Sequence, residues 1–95
     1  MTNNRVMDIR HNQQEERFET RVDGHLCIAD YHVVDGVMVM PHTYVPPPVG
    51  GRGIAGELVG AALAYAREQQ LRVDPRCSYV RVYMRRHPET LPLHV

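Results

Sequence analysis

The sequence has no lysine; every one of its eleven Lys-or-Arg positions is arginine. Schiff-base chemistry and a lysine nucleophile are thereby excluded. Cysteine is scarce as well: Cys27 and Cys77 stand fifty residues apart, with no CxxC pair. A disulfide framework is not expected, nor is a zinc or other metal site, and both thiols are expected to be reduced. No apolar run approaches the roughly 20 residues that span a bilayer. The N-terminal stretch MTNNRVMDIRHNQQEERFET is polar and has no apolar signal core, so a cytoplasmic location is expected. Net charge is lacking too. The formal balance at pH 7 is zero, which argues against a general binder of nucleic acid or membrane surfaces.

What is present is a chain of 95 residues with 43% apolar and 23% charged positions, an ordinary globular composition. A chain of this length is expected to form one domain over residues 1–95. It buries about 60–65% of its unfolded surface in one core. Residues 1–4 and 90–95 are expected to be weakly ordered. The charge is unevenly spread. Residues 1–49 hold four arginines and seven acids, and residues 50–95 hold seven arginines and four acids. An anionic ligand is therefore better placed on the C-terminal half.

Two Asp-Gly pairs, Asp23-Gly24 and Asp35-Gly36, punctuate the first half. Each favours a two-residue turn with positive φ between antiparallel strands. Around them Phe18, Thr20 and Val22 alternate with Glu19 and Arg21. Leu26 and Ile28 alternate with Cys27, Ala29 and Tyr31, and Val37 and Val39 with Met38 and Met40. Residues 17–45 thus read as a three-stranded meander. A weaker strand is expected over Val6–Arg10. Pro46-Pro47-Pro48 ends the third strand. Beyond it Ile54, Leu58, Ala62 and Tyr65, with Val59, Leu63 and Ala66 beside them, follow a helical period. Gly56 and Gly60 thin that helix or let it pack closely on a sheet. Leu71–Val73 reads as a short strand, and Cys77 or Ser78 opens a second helix that runs to Arg86 and ends at His87-Pro88. The order β-β-β-α-β-α gives an α+β (mixed α/β) fold. An antiparallel meander is followed by a βαβ crossover that lays a parallel strand beside the third one.

The segment GGRGIAG, residues 50–56, follows a strand and opens a helix. Glycines let backbone approach a ligand, and the first N–H groups of a helix have no internal partners. Arg52 adds a full positive charge. The sum suits a phosphate or pyrophosphate, weighed against a merely flexible link. GxxxxGK[ST] is absent, which disfavours nucleoside triphosphates.

The stretch HTYVPPPVGGRGIAGELVGAALAYAREQQLRV resembles the strand–pyrophosphate loop–helix–strand core of GCN5-related N-acetyltransferases. Their signature [Q/R]-x-x-G-x-[G/A] falls on Gly50-Gly51-Arg52-Gly53-Ile54-Ala55. From Arg17 to Glu89, including the ending RHPE, the chain is similar to the short single-domain branch of that superfamily. It departs from the pattern in having Gly50 at the first signature position, Tyr44 where a glutamate is usual, and Thr90 where a tyrosine often stands. The resemblance implies acetyl transfer from acetyl-CoA to an amine of a protein, peptide or small molecule. It implies that Gly50, Gly51, Arg52, Gly53, Ile54, Ala55 and Gly56 cradle the pyrophosphate, and that a backbone N–H near Val45 polarises the thioester carbonyl.

Three side chains are candidates for the chemistry. Cys77 precedes a helix whose dipole can lower a thiol pKa. By resemblance it lies near the thioester, as an acyl-accepting nucleophile or a packing residue. Tyr83 resembles the helix tyrosine that gives a proton to the departing thiolate, with core packing as its alternative. His42 has the ordinary pKa of a general base, with a structural role ahead of that one. Cys27 is expected in the core, His87 is expected to cap or orient, and Arg85 and Arg86 are expected on a solvated face. A non-catalytic acyl-CoA sensor is the second function to weigh, and a cysteine-dependent acyl hydrolase ranks last. Either a monomer or a homodimer fits.

Overall fold

The computed structural model describes residues 7–95. Five strands, β1 (Arg10–Asn12), β2 (Arg17–Val22), β3 (His25–Val34), β4 (Val37–Tyr44) and β5 (Arg72–Asp74), form one sheet in the order β1-β2-β3-β4-β5. The first four are antiparallel neighbours, and β5 runs parallel to β4. Helix α1 (Ile54–Glu68) makes the crossover from β4 to β5, and helix α2 (Ser78–Arg86) follows β5. The meander and the parallel crossover are those the sequence predicts. At both Asp-Gly turns the two central residues have positive φ: 50° and 80° at Asp23 and Gly24, 50° and 77° at Asp35 and Gly36. That twist matches the flanking strands.

The alternation within the strands chooses the core face. Phe18, Cys27, Ala29, Tyr31, Met38, Met40 and Val73 point to one side and are buried there. Ile54, Leu58, Val59, Ala62, Leu63 and Ala66 of α1 close over them, joined by Val80 and Met84 of α2 in the same cluster. The spacing of the α1 set is one stripe of a 3.6-residue helix.

At the far edge the strand expected at Val6–Arg10 is displaced: Val6 lies outside the described residues, and the strand runs from Arg10 to Asn12. Its anchor is polar rather than aliphatic. His11 stacks on Phe18 at 4.1 Å and 8°, meets Tyr65 edge-on at 4.4 Å, and its Nε2 lies 2.6 Å from the Tyr31 hydroxyl. Burial lowers the pKa of His11 and favours the neutral imidazole, whose Nε2 shares a hydrogen bond with the Tyr31 hydroxyl.

Two further expectations are corrected. The glycines of α1 serve the other helix, not the sheet: a Cβ on Gly60 would lie 2.8 Å from the Tyr83 hydroxyl, and one on Gly56 3.3 Å from that of Tyr79. The tail is tied down where weak order is expected, with Pro88–Leu93 forming a 3-10 helix. Buried Thr90 donates its hydroxyl to the His87 carbonyl at 2.7 Å, and Arg67 and Arg72 hold the carbonyls of Glu89 and His94 at 2.6 and 2.7 Å. The Val95 N–H then reaches the Val73 carbonyl on the free side of β5. The arginine bonds tie exposed tail backbone to α1 and β5, and the Thr90 hydroxyl is paired inside the protein. Residues 1–4, the other terminus expected to be weakly ordered, lie outside the described set.

Candidate functional site

Strand β4 contains one residue more than its partner requires. On β3 only Tyr31 separates Asp30 from His32, while on β4 Met40 and Pro41 separate their partners Val39 and His42. This is a β-bulge, and it explains how a proline sits inside the strand. The extra residue inverts the alternation. Before it Met38 and Met40 face the helices; after it Thr43, paired with buried Ala29, faces them instead. His42, paired with Asp30, is turned to the opposite side of the sheet. It is exposed there and stacks with the Tyr44 ring at 6.4 Å.

The strand β5 leaves β4 at the same point. Its last paired residue is Asp74, opposite Val39, and the Cys77 N–H then bonds the Met40 carbonyl at 2.9 Å. Pro41–Tyr44 therefore have a strand partner on the β3 side alone. The two parallel strands fork, and their backbone edge is free for a ligand amide. Cys77 sits in the fork, half-buried at the start of α2, and its thiol donates to the Thr43 hydroxyl at 3.6 Å. Burial pushes the Cys77 pKa up. Hydrogen bonds that the thiolate would accept from the Thr43 hydroxyl and from the N–H groups of Val80 and Tyr79 outweigh it, so the pKa is lowered on balance. Thr43 is the residue that sequence reasoning misses. Only Pro41, as the mark of a bulge, hints at its orientation. Cys27 is fully buried, as expected, and burial raises its pKa.

After Val45 the chain turns through a 3-10 turn at Pro47–Val49 and enters the glycines. Gly51 and Gly53 both have φ of 77°, with nothing within 4 Å of a would-be Cβ. Their need is for a left-handed backbone, not for space. Gly50 has φ of −67° and no such need. Gly53 is the N-cap of α1, and no side chain caps this helix start. The N–H groups of Ile54, Ala55 and Gly56 are therefore first-turn donors with no capping side chain, at the positive end of a fifteen-residue helix. Arg52 beside them forms an ion pair with Asp23 in the β2–β3 turn at 2.9 Å. Both side chains are largely exposed, so the pair contributes under about 1 kcal/mol and gives way readily to a competing anion.

A cavity of about 270 Å³ opens from this helix start, lined by Gly53, Gly56 and Glu57 of α1 and by Tyr79, Val82, Tyr83, Arg86 and His87. Arg86, expected on a solvated face, is exposed yet lines this cavity. Tyr83 stands between it and a second cavity of about 230 Å³ lined by Gly60, Leu63, Arg67 and Thr90 among others. Burial, helped by the nearby Glu89 and Glu57, raises the pKa of the Tyr83 phenol and keeps it protonated. Its hydroxyl makes no hydrogen bond among the described residues. The structure thus places Gly53, Gly56 and Tyr83 around one groove, with Arg52 beside the helix start and paired to Asp23, and sets Cys77 at the start of α2 in the β4–β5 fork. It does not bring His42 to them. Among the described residues no group of three His, Cys, Asp or Glu side chains is placed to hold a metal ion, and no helix is long and apolar enough to cross a membrane.

The family described as GCN5-related N-acetyl-transferase matches residues 17–93. The chain belongs to this family. It is 30% identical over 83 residues to Protein NATD1 of Mus musculus, covering 84% of this chain and 76% of that one. To Protein NATD1 of Gallus gallus it is 28% identical over 85 residues, covering 86% and 77%. The fold is also that of a GCN5-like protein from Staphylococcus aureus known from a solution structure, with a TM-score of 0.74 at 24% identity, over all of this chain and 91% of the other. Membership in this family accords with the forked β4–β5 pair and the glycine-rich helix start of the present member.

Proposed function

We propose that this member of the family binds acetyl-CoA and transfers its acetyl group to an amine. One observation carries the reading: the bare N-terminus of α1, reached through left-handed Gly51 and Gly53, opens onto a groove lined by Tyr83. Backbone donors without caps fit a diphosphate, and the residues present fit the cofactor. The N–H groups from Gly51 to Gly56 hold it, and Arg52 exchanges Asp23 for a phosphate oxygen. Acetyl-CoA supplies a thioester, an activated acetyl group on a sulfur leaving group. The free β4 edge near Val45 offers backbone donors to the carbonyl oxygen, a contact worth about 3 kcal/mol where it tightens in the transition state. As the amine nitrogen bonds the carbonyl carbon and the C–S bond breaks, the Tyr83 phenol gives its proton to the departing sulfur. The proton shed by the amine goes to solvent, which also restores the phenol. Cys77 lies in the fork with its thiol tuned by Thr43, and packs beside the sulfur.

A non-catalytic acyl-CoA sensor is the second reading. The outward turn of His42 favours it, because no imidazole then faces the fork as a base. Cytoplasmic residence and a protein or peptide acceptor accord with either. Calorimetry with acetyl-CoA, followed by assay of free CoA in the presence of spermidine, glycinamide or a lysine-containing peptide, separates them. Free CoA that appears only with an amine supports transfer. Binding without turnover supports the sensor. Absence of binding at physiological salt refutes both.

A further inference from the structure

We infer that His87 is a positioning residue for Tyr83, holding the phenol where the transfer reading above needs its proton; the inference rests on that reading. The His87 imidazole lies flat on the Tyr83 ring, with centroids 3.9 Å apart and 14° between planes. Its Nδ1 is 2.8 Å from the Tyr83 carbonyl oxygen. A carbonyl only accepts, so Nδ1 carries the hydrogen and the ring is locked by its own helix turn.

The backbone that presents this ring is itself pinned. His87 ends α2 with φ of −126° and ψ of 78°, and Pro88 forbids another helical turn. The His87 carbonyl accepts two bonds from Thr90, from its N–H at 2.8 Å and its hydroxyl at 2.7 Å. Thr90 is buried, so this clasp is shielded from water. At its hydroxyl end and edge the phenol meets glycine. Gly60 leaves room for the hydroxyl, and a Cβ on Gly56 would be 3.9 Å from the ring. Imidazole on one face and two glycines at the hydroxyl end and edge define a slot for a ring that lines cavities of about 270 and 230 Å³. Without the imidazole the phenol is free to swing into either space. The sequence His87-Pro88-Glu89-Thr90 is therefore a clasp, and its effect on chemistry passes through Tyr83.

The test uses the full chain with acetyl-CoA and whichever of spermidine, glycinamide or the lysine-containing peptide turns over fastest, in four variants: His87→Ala, His87→Phe, Tyr83→Phe and the double variant His87→Ala/Tyr83→Phe. His87→Ala should lower kcat about ten-fold, a fraction of what a general acid supplies, with KM for acetyl-CoA unchanged within about two-fold. His87→Phe keeps a flat ring and should recover most of the loss. In the Tyr83→Phe background His87→Ala should cost nothing more, since the two act as a unit. NMR of ring-labelled tyrosine should show the Tyr83 protons shifted upfield by the imidazole in the wild type and released in His87→Ala. An unchanged kcat in His87→Ala overturns the proposal. So do a parallel change in kcat and KM, full additivity in the double variant, or His87→Phe as impaired as His87→Ala. A wild type that binds acetyl-CoA but turns over none of the three amines refutes transfer itself and this role with it. A wild type that turns over while His87→Ala matches it refutes this role alone.

Discussion

Replacing Gly60 with alanine should make the protein no less stable and a poorer catalyst. In an exposed helix interior alanine is favoured over glycine by about 1 kcal/mol. Against that, the new methyl would stand 2.8 Å from the Tyr83 hydroxyl and 3.7 Å from the carbon that bears it. Ordinary contact needs about 3.4 Å, so the hydroxyl must retreat by roughly half an ångström. The clash is with the tip of a side chain, and a small rotation of the phenol relieves it. An off-rotamer tilt costs on the order of 0.5–1 kcal/mol, so the two terms nearly cancel. Thermal unfolding should leave Tm within a few degrees of the wild type or slightly above it. Displacement of a proton donor by half an ångström should lower kcat several-fold to about ten-fold, with KM for acetyl-CoA nearly constant. The assay is release of free CoA at saturating acetyl-CoA, beside a melting curve. A Tm lower by about 8 °C or more would show that the glycine is needed by backbone or sheet packing. A wild-type kcat would show that the hydroxyl's position is immaterial.

Iodoacetamide should modify Cys77 well before the fully buried Cys27. Its rate should rise at a pH below the ordinary thiol value of about 8.5, and Thr43→Val should move that rise upward; equal rates at the two cysteines would contradict the site geometry. Burial holds the pKa of His11 below its unfolded value of about 6.5, so the unfolded chain takes up that proton first. His11 should therefore cost no stability above pH 6.5 and should weaken the fold as pH falls from there to its folded pKa. His11→Phe should show a smaller drop in urea midpoint between pH 7 and pH 5, and an undiminished drop would refute this. Gly53→Ala should cost about 1 kcal/mol through its φ of 77°, whereas Gly50→Ala, at −67°, should cost far less; similar melting curves for the two would undo the left-handed argument.

The meander is legible in the sequence because two Asp-Gly pairs fix both its turns and its register. The α1 stripe is legible because seven apolar residues repeat at one period. Less was legible where one residue decides between two faces. Alternation through Val37, Met38, Val39 and Met40 says nothing of the inversion at Pro41, so His42 reads as a site residue and Thr43 does not. Gly56 and Gly60 announce close approach without naming the partner, because helix–helix contacts leave no local pattern. The order of the tail leaves no local mark because it comes from arginines about twenty residues upstream, Arg67 and Arg72. Polar anchors such as His11 on Phe18 escape any count of aliphatic residues.

The surplus residue in β4 decides which face everything downstream of it presents. Were the bulge straightened with Pro41 kept in the ladder, strict alternation would carry His42 and Tyr44 beneath the helices and Thr43 out to water, and Cys77 would exchange a hydroxyl neighbour for an imidazole one. Deleting Pro41 while the pairing with β3 is kept would instead remove the surplus and leave the threonine beside the thiol, so a one-residue slip, and not a one-residue loss, separates this fork from a cysteine–histidine pair.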